Sequence, residues 1–328
     1  MNFKFLHLVI SVFLVFPVSS EEIFFNNHNI HGEDSTFKDF IKWQLSVNKP
    51  DRFSIEMSDE FNLLLKKPKT PYAVWVGHSN FLINNNDINI LTDPIFSKRA
   101  SPISFAGPKR LIPPGINFNL LPDIDVVTVS HAHYDHMDIP TLKRLYEINK
   151  NTLFLVPMNS AKLLLSAGIK NVVEMNWWDT ISLRDTLITF VPVHHWSSRT
   201  PFDKNETLWG GWWFEHSSLK LVHLGDTGYT YDFLTINKEL GSPDFAFIPI
   251  GAYEPRSIMK DSHLNPDEAI QTALDLNATH AIGMHWGTFM LTDEPVQEPP
   301  VLVKNRLKEL DLEGLFTIPI PGKIISLE

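Results

Sequence analysis

Four side chains of metal-ligand type stand within residues 131–136, which read HAHYDH. An α-helix would distribute these side chains around its circumference. A loop at the end of a strand can instead direct His131 and His133 towards one point. The same loop can direct Asp135 and His136 towards another. The run therefore predicts two neighbouring metal positions with nitrogen and oxygen ligands, a donor set that suits Zn²⁺, Fe²⁺ or Mn²⁺.

Further side chains of the same type follow predicted strands later in the chain. They are His194 and His195 after the strand 187–193, Asp226 after 219–224, and His285 after 280–284. Strand ends meet at one edge of a sheet, so these side chains can converge on the loop 131–136. Spacing alone leaves open which of the two adjacent histidines is the ligand.

Composition excludes several classes of protein. The 328 residues are 43% hydrophobic, which is enough for a large core, and the net charge is -10. Binding of nucleic acid needs clustered Lys and Arg, so nucleic acid is not expected as a partner. The chain has no cysteine, which excludes disulfides and thiolate metal ligands. Any metal must therefore be held by His, Asp and Glu.

Residues 1–20 are typical of an export signal. Lys4 supplies the positive charge, the segment 6–18 is mostly apolar, and Val18 and Ser20 suit a cleavage site. The apolar segment is short for a membrane-spanning helix, which needs roughly 20 residues. We therefore expect export to a periplasm or the outside, with an uncleaved anchor as the alternative.

The rest of the chain divides at about residue 70. Residues 21–70 are predicted to be an N-terminal extension with one helical apolar stripe, formed by Phe37, Phe40, Ile41 and Leu45. Residues 71–328 are predicted to be one hydrolase domain in which strands outnumber helices. Because helices fall between groups of strands, a two-layer sheet with helices outside fits this α/β pattern better than a doubly wound sheet.

Several motifs resemble the metallo-β-lactamase superfamily and, more narrowly, the N-acylphosphatidylethanolamine-hydrolysing phospholipase D family. They are 77–78 (GH), 91–97 (LTDPIFS), 107–110 (GPKR), 130–138 (SHAHYDHMD), 195–196 (HW), 208–210 (LWG), 225–229 (GDTGY), 248–256 (IPIGAYEPR) and 285–289 (HWGTF). The first His run is shared across the superfamily, whereas the GPKR and GAYEPR runs are far narrower. The resemblance implies an αββα sandwich.

The resemblance also implies a ligand set. It assigns His131, His133 and His195 to one zinc ion. It assigns Asp135, His136 and His285 to a second zinc ion, with Asp226 bridging the two. The family's ligand directly precedes Trp, and this selects His195 over His194. Iron or manganese can replace zinc in a donor set of this kind.

Two such ions about 3.5–4 Å apart hold a bridging hydroxide that is nucleophilic at neutral pH. Asp135 is then a candidate proton acceptor. The resemblance places His263 in contact with the substrate, and a surface His at a helix start is the alternative. Asp93 is a candidate for orienting a ligand His from behind. His78 either does the same or packs without a role.

The function implied is hydrolysis of N-acylphosphatidylethanolamine to N-acylethanolamine and phosphatidic acid. A lactonase, or a phosphodiesterase for soluble substrates, is the alternative on the same metal site, because this fold hosts many chemistries. A non-catalytic lipid-binding protein is a third interpretation. The presence of all seven ligand positions argues against it.

A lipid substrate implies peripheral membrane contact. Since the chain is acidic, we expect that contact to rest on aromatic insertion. The candidate aromatics are Trp196, Trp209, Trp212 and Trp213, with Phe24, Phe25 and Trp43 in the extension. They line an acyl channel or sit at a membrane interface. The alternative is packing in the core and between the subunits of a homodimer.

Overall fold

A computed structural model describes residues 24–28, 54–64, 68–217 and 219–328. The predicted signal 1–20, the helical stripe from Phe37 to Leu45, and Trp43 lie outside the described residues. The predicted domain boundaries therefore stay predictions. In the described part of the chain, none of the helices has the length and apolar character needed to cross a membrane.

The described strands form two seven-stranded sheets. The first sheet has the order β14-β1-β2-β3-β4-β5-β6, where the strands are β1 Tyr72–Gly77, β2 Asn80–Asn84, β3 Asn89–Thr92, β4 Val126–Thr128, β5 Leu153–Pro157, β6 Val172–Met175 and β14 Ile324–Ser326. Its strands pair antiparallel from β14 to β3 and parallel from β3 to β6.

The second sheet has the order β13-β12-β11-β10-β9-β8-β7. Its strands are β7 Thr180–Leu183, β8 Thr186–Val191, β9 Gly211–His216, β10 Leu219–His223, β11 Phe245–Pro249, β12 His280–Met284 and β13 Phe316–Thr317. Pairing is antiparallel from β7 to β10 and parallel from β10 to β13. The carboxyl ends of the parallel strands therefore meet along one edge of each sheet.

Alternation along β1 explains why the sheets form a sandwich. Trp75 packs in the cluster shared with Phe190 and Trp212 of the second sheet. Its neighbour Val74 packs on the opposite face, in a cluster that includes Leu142. Successive side chains of a strand point to opposite faces, so β1 is buried on both of them. The first sheet is therefore covered by the second sheet on one face and by helices on the other.

Seven α-helices are described, together with a short 3₁₀ turn at Phe118–Leu120. The helices are α1 Glu60–Leu63, α2 Ile139–Ile148, α3 Ala161–Ser166, α4 Asp232–Leu240, α5 Arg256–Met259, α6 Pro266–Asp275 and α7 Glu298–Glu309. Helices α2 and α3 cover the first sheet, and α6 contacts β11 of the second. The layers are thus helix, sheet, sheet, helix, which confirms the predicted α/β sandwich.

Helix α6 begins where its sequence predicts. Asn265 Oδ1 accepts from the backbone N–H of Glu268 at 2.9 Å, and Asn265 N–H donates to the Glu268 carboxylate at 3.0 Å. This reciprocal pair is a capping box, and Pro266 follows at the first helical position. Other elements were not predicted, namely β6, β7, β9, β13, β14, α1, α4, α5 and α7. In β9, Trp212 and Trp213 were interpreted as lipid-contacting side chains, so the strand was missed.

Candidate metal centre

Asp93 anchors the two ends of the His run. It follows β3 and has a positive φ of 37°. Its Oδ1 accepts from the backbone N–H of Ser130 at 2.7 Å, and its Oδ2 accepts from Ser130 Oγ at 2.7 Å. His136 Nδ1 lies 2.7 Å from the same Oδ2. Because the carboxylate accepts, His136 carries its proton on Nδ1, and its Nε2 can offer a lone pair to the site.

The first group of histidines brings together His131, His133 and His195. His133 Nδ1 lies 2.8 Å from His131 Nε2 and 3.4 Å from His195 Nε2. His195 Nδ1 donates to the carbonyl of Ser262 at 3.0 Å, which leaves its Nε2 free to face the group. Burial lowers the pKa of all three rings, to about 4 for His133. They are therefore neutral imidazoles, the form that binds metals.

The second group brings together Asp135, His136 and His285. Asp135 Oδ2 lies 3.5 Å from His136 Nε2 and 3.7 Å from His285 Nε2. Burial raises the pKa of Asp135, but the charge of His136 and the hydrogen bond from His78 outweigh burial and hold it well below its ordinary value. This carboxylate is therefore ionised, as a metal ligand must be.

Asp226 lies between the two groups. Its Oδ2 is 3.1 Å from His136 Nε2 and 3.9 Å from both His131 Nε2 and His195 Nε2. Its Oδ1 is 3.1 Å from His285 Nε2. One carboxylate thus contacts rings of both groups, which is the arrangement that a bridging ligand requires.

Gly225 allows Asp226 to approach this closely. Gly225 has a φ of +63°, and a Cβ placed on it would lie 2.5 Å from Ser130 Cβ. Any larger residue would both strain the backbone and push the end of β10 away from the His run. The glycine therefore brings a carboxylate of the second sheet against the ligand loop of the first.

The donor set fits divalent cations. Several buried atoms of the proposed ligands have no hydrogen-bond partner among the described residues, including His133 Nε2, His136 Nε2, Asp226 Oδ1 and His285 Nε2. Leaving such an atom unsatisfied costs about 1–3 kcal/mol. Except for His133, which offers Nδ1 instead, these residues direct the atoms into groups whose ligand atoms lie within 4.8 Å of one another. A cation in each group would satisfy them.

The two carboxylates also favour positive charge here. Burial lowers the pKa of His285, but the carboxylate of Asp226 outweighs burial and raises it to about 9. For His136 the carboxylates of Asp226 and Asp135 likewise outweigh burial. The field of the site therefore stabilises a cation between these side chains.

His78 contacts the carboxylate of Asp135 and also lies against the ring of His285, two of the proposed ligands. Its Nε2 lies 2.9 Å from Asp135 Oδ2, and its ring is 4.0 Å from that of His285. Whether it orients a ligand or merely packs stays a prediction. Its position is rigid, because its backbone N–H donates to Thr288 Oγ1 at 2.6 Å.

His263 lies at the rim of both groups. Its ring centroid is 5.3 Å from that of His195 and 5.4 Å from that of His285. Its Nδ1 is buried without a hydrogen-bond partner among the described residues. Burial lowers its pKa to about 4, against the opposing charge of Asp226. It is therefore a half-buried, neutral imidazole beside both groups, and its contact with the substrate stays a prediction.

His194 lies outside the described metal-ligand groups. Its backbone pairs with Gly228 across an isolated bridge. Sequence reasoning missed Ser130, whose Oγ lies 2.9 Å from His131 Nδ1, and the carbonyl of Ser262 that holds His195. Ser130 directly precedes the His run, so its position was the available signal. A backbone carbonyl has no sequence signal at all.

Three of the candidate lipid-contacting tryptophans lie in the core. Trp209, Trp212 and Trp213 are at most 1% exposed, so the lipid-facing interpretation is wrong for them. Trp196 differs, since it is half-buried and its ring centroid lies 4.3 Å from that of His133. Phe24 is exposed and Phe25 packs against the core. The homodimer stays a prediction.

Comparisons with known proteins show the family to which the chain belongs. Residues 88–286, more than half of the chain, match the family model described as the Beta-lactamase superfamily domain. N-acyl-phosphatidylethanolamine-hydrolyzing phospholipase D 1 of Caenorhabditis elegans is 39% identical over 73% of this chain and 69% of its own length. The enzyme of that name from Saccharomyces cerevisiae, described as mitochondrial, is 36% identical over 75% of this chain and 53% of its own.

A solved structure supports the fold. The metallo hydrolase Igni18 of the archaeon Ignicoccus hospitalis superposes with a TM-score of 0.59 at 20% identity, covering 79% of this chain and 98% of its own. Fold and site together define a metal-dependent hydrolase with the metallo-β-lactamase fold. More narrowly, the chain belongs to the N-acylphosphatidylethanolamine-hydrolysing phospholipase D family.

Proposed function

We propose that this protein is a zinc-dependent phosphodiesterase that hydrolyses N-acylphosphatidylethanolamine to N-acylethanolamine and phosphatidic acid. The observation that carries the proposal is the position of Asp226 between two separate donor groups. One carboxylate oxygen lies within 3.9 Å of rings of both groups, and the other lies 3.1 Å from His285. The name of the relative from C. elegans supports the choice of substrate.

The proposed ligand sets follow the two groups. His131, His133 and His195 would hold one ion, Asp135, His136 and His285 would hold the other, and Asp226 would contact both. All of the donors are nitrogen or oxygen atoms, and zinc is the proposed metal because imidazole-rich sites suit it. When bound, a pair of divalent cations supplies a nucleophile at neutral pH and offsets the charge that develops on a phosphoryl group.

Asp135 and His78 are proposed to manage the proton of the attacking water. Asp135 is ionised and lies at the edge of the second group, so its carboxylate can accept that proton. His78 Nε2–H donates to Asp135 Oδ2 at 2.9 Å and so fixes the direction in which the carboxylate faces. Restricting this rotation keeps the acceptor aligned with the attacked phosphorus.

His263 is proposed to contact the oxygen that leaves with the N-acylethanolamine. Its unpaired Nδ1 and its position beside His195 and His285 support this role. A neutral imidazole with a proton on one nitrogen can donate a hydrogen bond to a substrate oxygen. In the reaction, water adds to phosphorus, the bond from phosphorus to the ethanolamine oxygen breaks, and that oxygen takes up a proton.

A substrate panel on the purified full chain tests the proposal. It contains N-acylphosphatidylethanolamine in mixed micelles, a soluble phosphodiester and a lactone, and products are identified by mass spectrometry. We expect phosphatidic acid and N-acylethanolamine in equal amounts, and loss of both in Asp226→Asn. Turnover of only the soluble diester or the lactone would replace the lipid proposal with the alternative hydrolase. Absence of all turnover in a metal-loaded protein would favour the non-catalytic interpretation.

We also propose peripheral membrane contact, through a different surface from the buried tryptophans. Phe105 and Phe202 are 81% and 90% exposed. Phe105 lies in the loop 95–115, whose base is held by Asp138, two residues after the His run. Phe202 lies in the turn 198–206, which follows the proposed ligand His195. Phe105 and Phe202 therefore lie on two different loops, each of which is connected to the metal centre.

Local charge supports an anionic bilayer as the partner. Residues 95–115 contain no acidic residue and four basic ones: Lys98, Arg99 and Lys109, and also Arg110, whose guanidinium is partly buried and donates to the carbonyls of Ile95 and Ser97. This segment is basic in a chain whose net charge is -10. Juxtaposed basic and apolar side chains attract anionic lipid surfaces by about 1 kcal/mol per cation, and the attraction weakens with salt.

Flotation with vesicles tests the contact. We expect the protein to float with vesicles that contain anionic phospholipid, and Phe105→Ser with Phe202→Ser to lower the bound fraction. Leu120→Ser is the matched control, since Leu120 is exposed but lies at the 3₁₀ turn rather than on these loops. Equal binding by the double variant would refute the surface. The export signal 1–20 is a separate proposal, which N-terminal sequencing of secreted protein tests.

A further inference from the structure

The side chain of Arg199 donates hydrogen bonds to backbone carbonyls of the loop 131–137, which contains four of the proposed ligands. The Nη1 of Arg199 donates to the carbonyl of Ala132 at 2.7 Å and to that of Met137 at 3.0 Å. Ala132 separates His131 from His133, and Met137 directly follows His136. One nitrogen atom therefore joins the beginning and the end of the run that contains four of the seven proposed ligands.

The side chain of Tyr134 lies against the same guanidinium. Arg199 Cζ is 4.0 Å from the Tyr134 ring centroid, and Tyr134 Oη donates to the carbonyl of Arg199 at 3.1 Å. The side chain of each residue thus contacts the other: the guanidinium lies over the ring, and the hydroxyl bonds to the backbone of Arg199. Since Tyr134 stands between His133 and Asp135, this contact fixes the point at which the loop turns from the first ligand group to the second.

A second contact from the same segment completes the arrangement. The backbone N–H of Ala132 donates to Ser197 Oγ at 3.1 Å, so both peptide groups that flank Ala132 Cα are held. Asp203 in turn holds the segment, because its Oδ1 accepts from the N–H of Arg199 at 2.9 Å and of Thr200 at 2.7 Å. The segment 197–203 begins two residues after His195, which is itself a proposed ligand.

We infer that Arg199 is a positioning residue. Its hydrogen bonds to the carbonyls of Ala132 and Met137 fix the loop 131–137 and so preorganise both metal positions. His195 and Arg199 belong to one segment that follows β8 of the second sheet, whereas the loop 131–137 follows β4 of the first sheet. The hydrogen bonds of Arg199 therefore fix the distance between His195 and the ligands of the loop 131–137. The inference rests on the proposed ligand set but not on the proposed lipid substrate.

Metal affinity of the full chain tests the inference without any substrate. Zinc is removed, and its rebinding is measured by competition with a chromophoric chelator for wild type, Arg199→Ala and Arg199→Lys. Supporting residues of metal sites typically change affinity 10–100-fold, so we expect a loss of about this size in Arg199→Ala. Arg199→Lys keeps a donor that can reach a carbonyl and is expected to recover part of the loss.

A spectroscopic readout separates positioning from simple stability. The visible spectrum of cobalt-substituted protein reports ligand geometry, and we expect it to change in Arg199→Ala. Arg184→Ala is the matched control, because Arg184 also joins separate segments, through Asp125 and the carbonyl of Asp87, but outside the metal centre. Wild-type zinc affinity and an unchanged cobalt spectrum in Arg199→Ala would overturn the inference. So would equal loss of affinity in Arg184→Ala.

Discussion

Asp93 Oδ2 and His136 Nδ1 lie 2.7 Å apart, with both side chains fully buried. Asp93 leaves the end of β3 and His136 ends the loop after β4, so the contact joins two adjacent parallel strands at their carboxyl ends. It presents the opposite nitrogen of His136 to the proposed metal. The orientation of this ligand is thus set by a residue that does not itself face the ion.

Asp93→Asn should weaken zinc binding. The amide keeps an oxygen that can accept from His136, but it loses the charge that strengthens the ring as a ligand. Outer partners of this type change metal affinity about 10–100-fold, and we expect a loss in that range by chelator competition. Asp275→Asn is the control, because Asp275 accepts from Tyr229 Oη outside the site. Unchanged affinity in Asp93→Asn would contradict the role of Asp93.

Gly225→Ala should destabilise the protein and disturb the site together. The new Cβ would meet Ser130 Cβ at 2.5 Å on a backbone with φ of +63°. Strain and overpacking of this kind cost about 2 kcal/mol or more. Urea unfolding measures the cost, and Gly314→Ala, where nothing lies within 4 Å, is the control. Equal stability of the two variants would show that the end of β10 can shift without penalty.

The tryptophans near the site should separate into two classes. Trp212 is fully buried between the sheets, so Trp212→Ala should cost about 3–5 kcal/mol of unfolding free energy. Trp196 is half-buried and faces His133, so Trp196→Ala should cost much less but alter the KM for lipid. Thermal unfolding and steady-state kinetics measure the two effects. A fully stable Trp212→Ala would be inconsistent with the sandwich core.

The contribution of Asp203 to stability should depend on pH. Burial raises its pKa, but hydrogen bonds from Thr200 and Arg199 outweigh burial and lower it below the ordinary value. Its unfolded pKa is about 3.9. A carboxyl whose folded pKa is lowered contributes stability above that value and loses it as pH falls through the folded pKa. The stability difference between wild type and Asp203→Asn, from urea unfolding, should therefore shrink below about pH 4. A difference that stays constant across that range would argue against an ionised Asp203.

The sequence was informative where ligand-type residues follow strands. The run 131–136 was singled out because it places four ligand-type side chains within six residues, and Asp226 and His285 because they follow predicted strands. The folded chain brings them within a few ångströms of one another. Parallel strands end on one edge, so strand order alone makes this convergence expected. The choice of His195 over His194 needed the family resemblance, since both follow the same strand.

Other parts of the site had no signal in the sequence. Arg199 donates to backbone carbonyl groups, which every residue carries. The hydrogen bond from His195 to the carbonyl of Ser262 is of the same kind. His78 was considered either as a partner for another His or as a packing residue, because its approach to Asp135 depends on how the turn after β1 packs against the loop at Thr288. The lipid-facing interpretation of Trp209 failed because aromatic content does not distinguish a buried strand from a surface.

Hydrolysis in oxygen-18-labelled water tests the central claim most directly. The purified, zinc-loaded protein is given N-acylphosphatidylethanolamine, and both products are examined by mass spectrometry. Attack of water on phosphorus predicts one labelled oxygen in the phosphate of phosphatidic acid and none in the N-acylethanolamine. The label should be absent from the products of Asp226→Asn because turnover is lost. Label in the N-acylethanolamine or in a released fatty acid would place the attack on carbon and contradict the proposed phosphodiesterase.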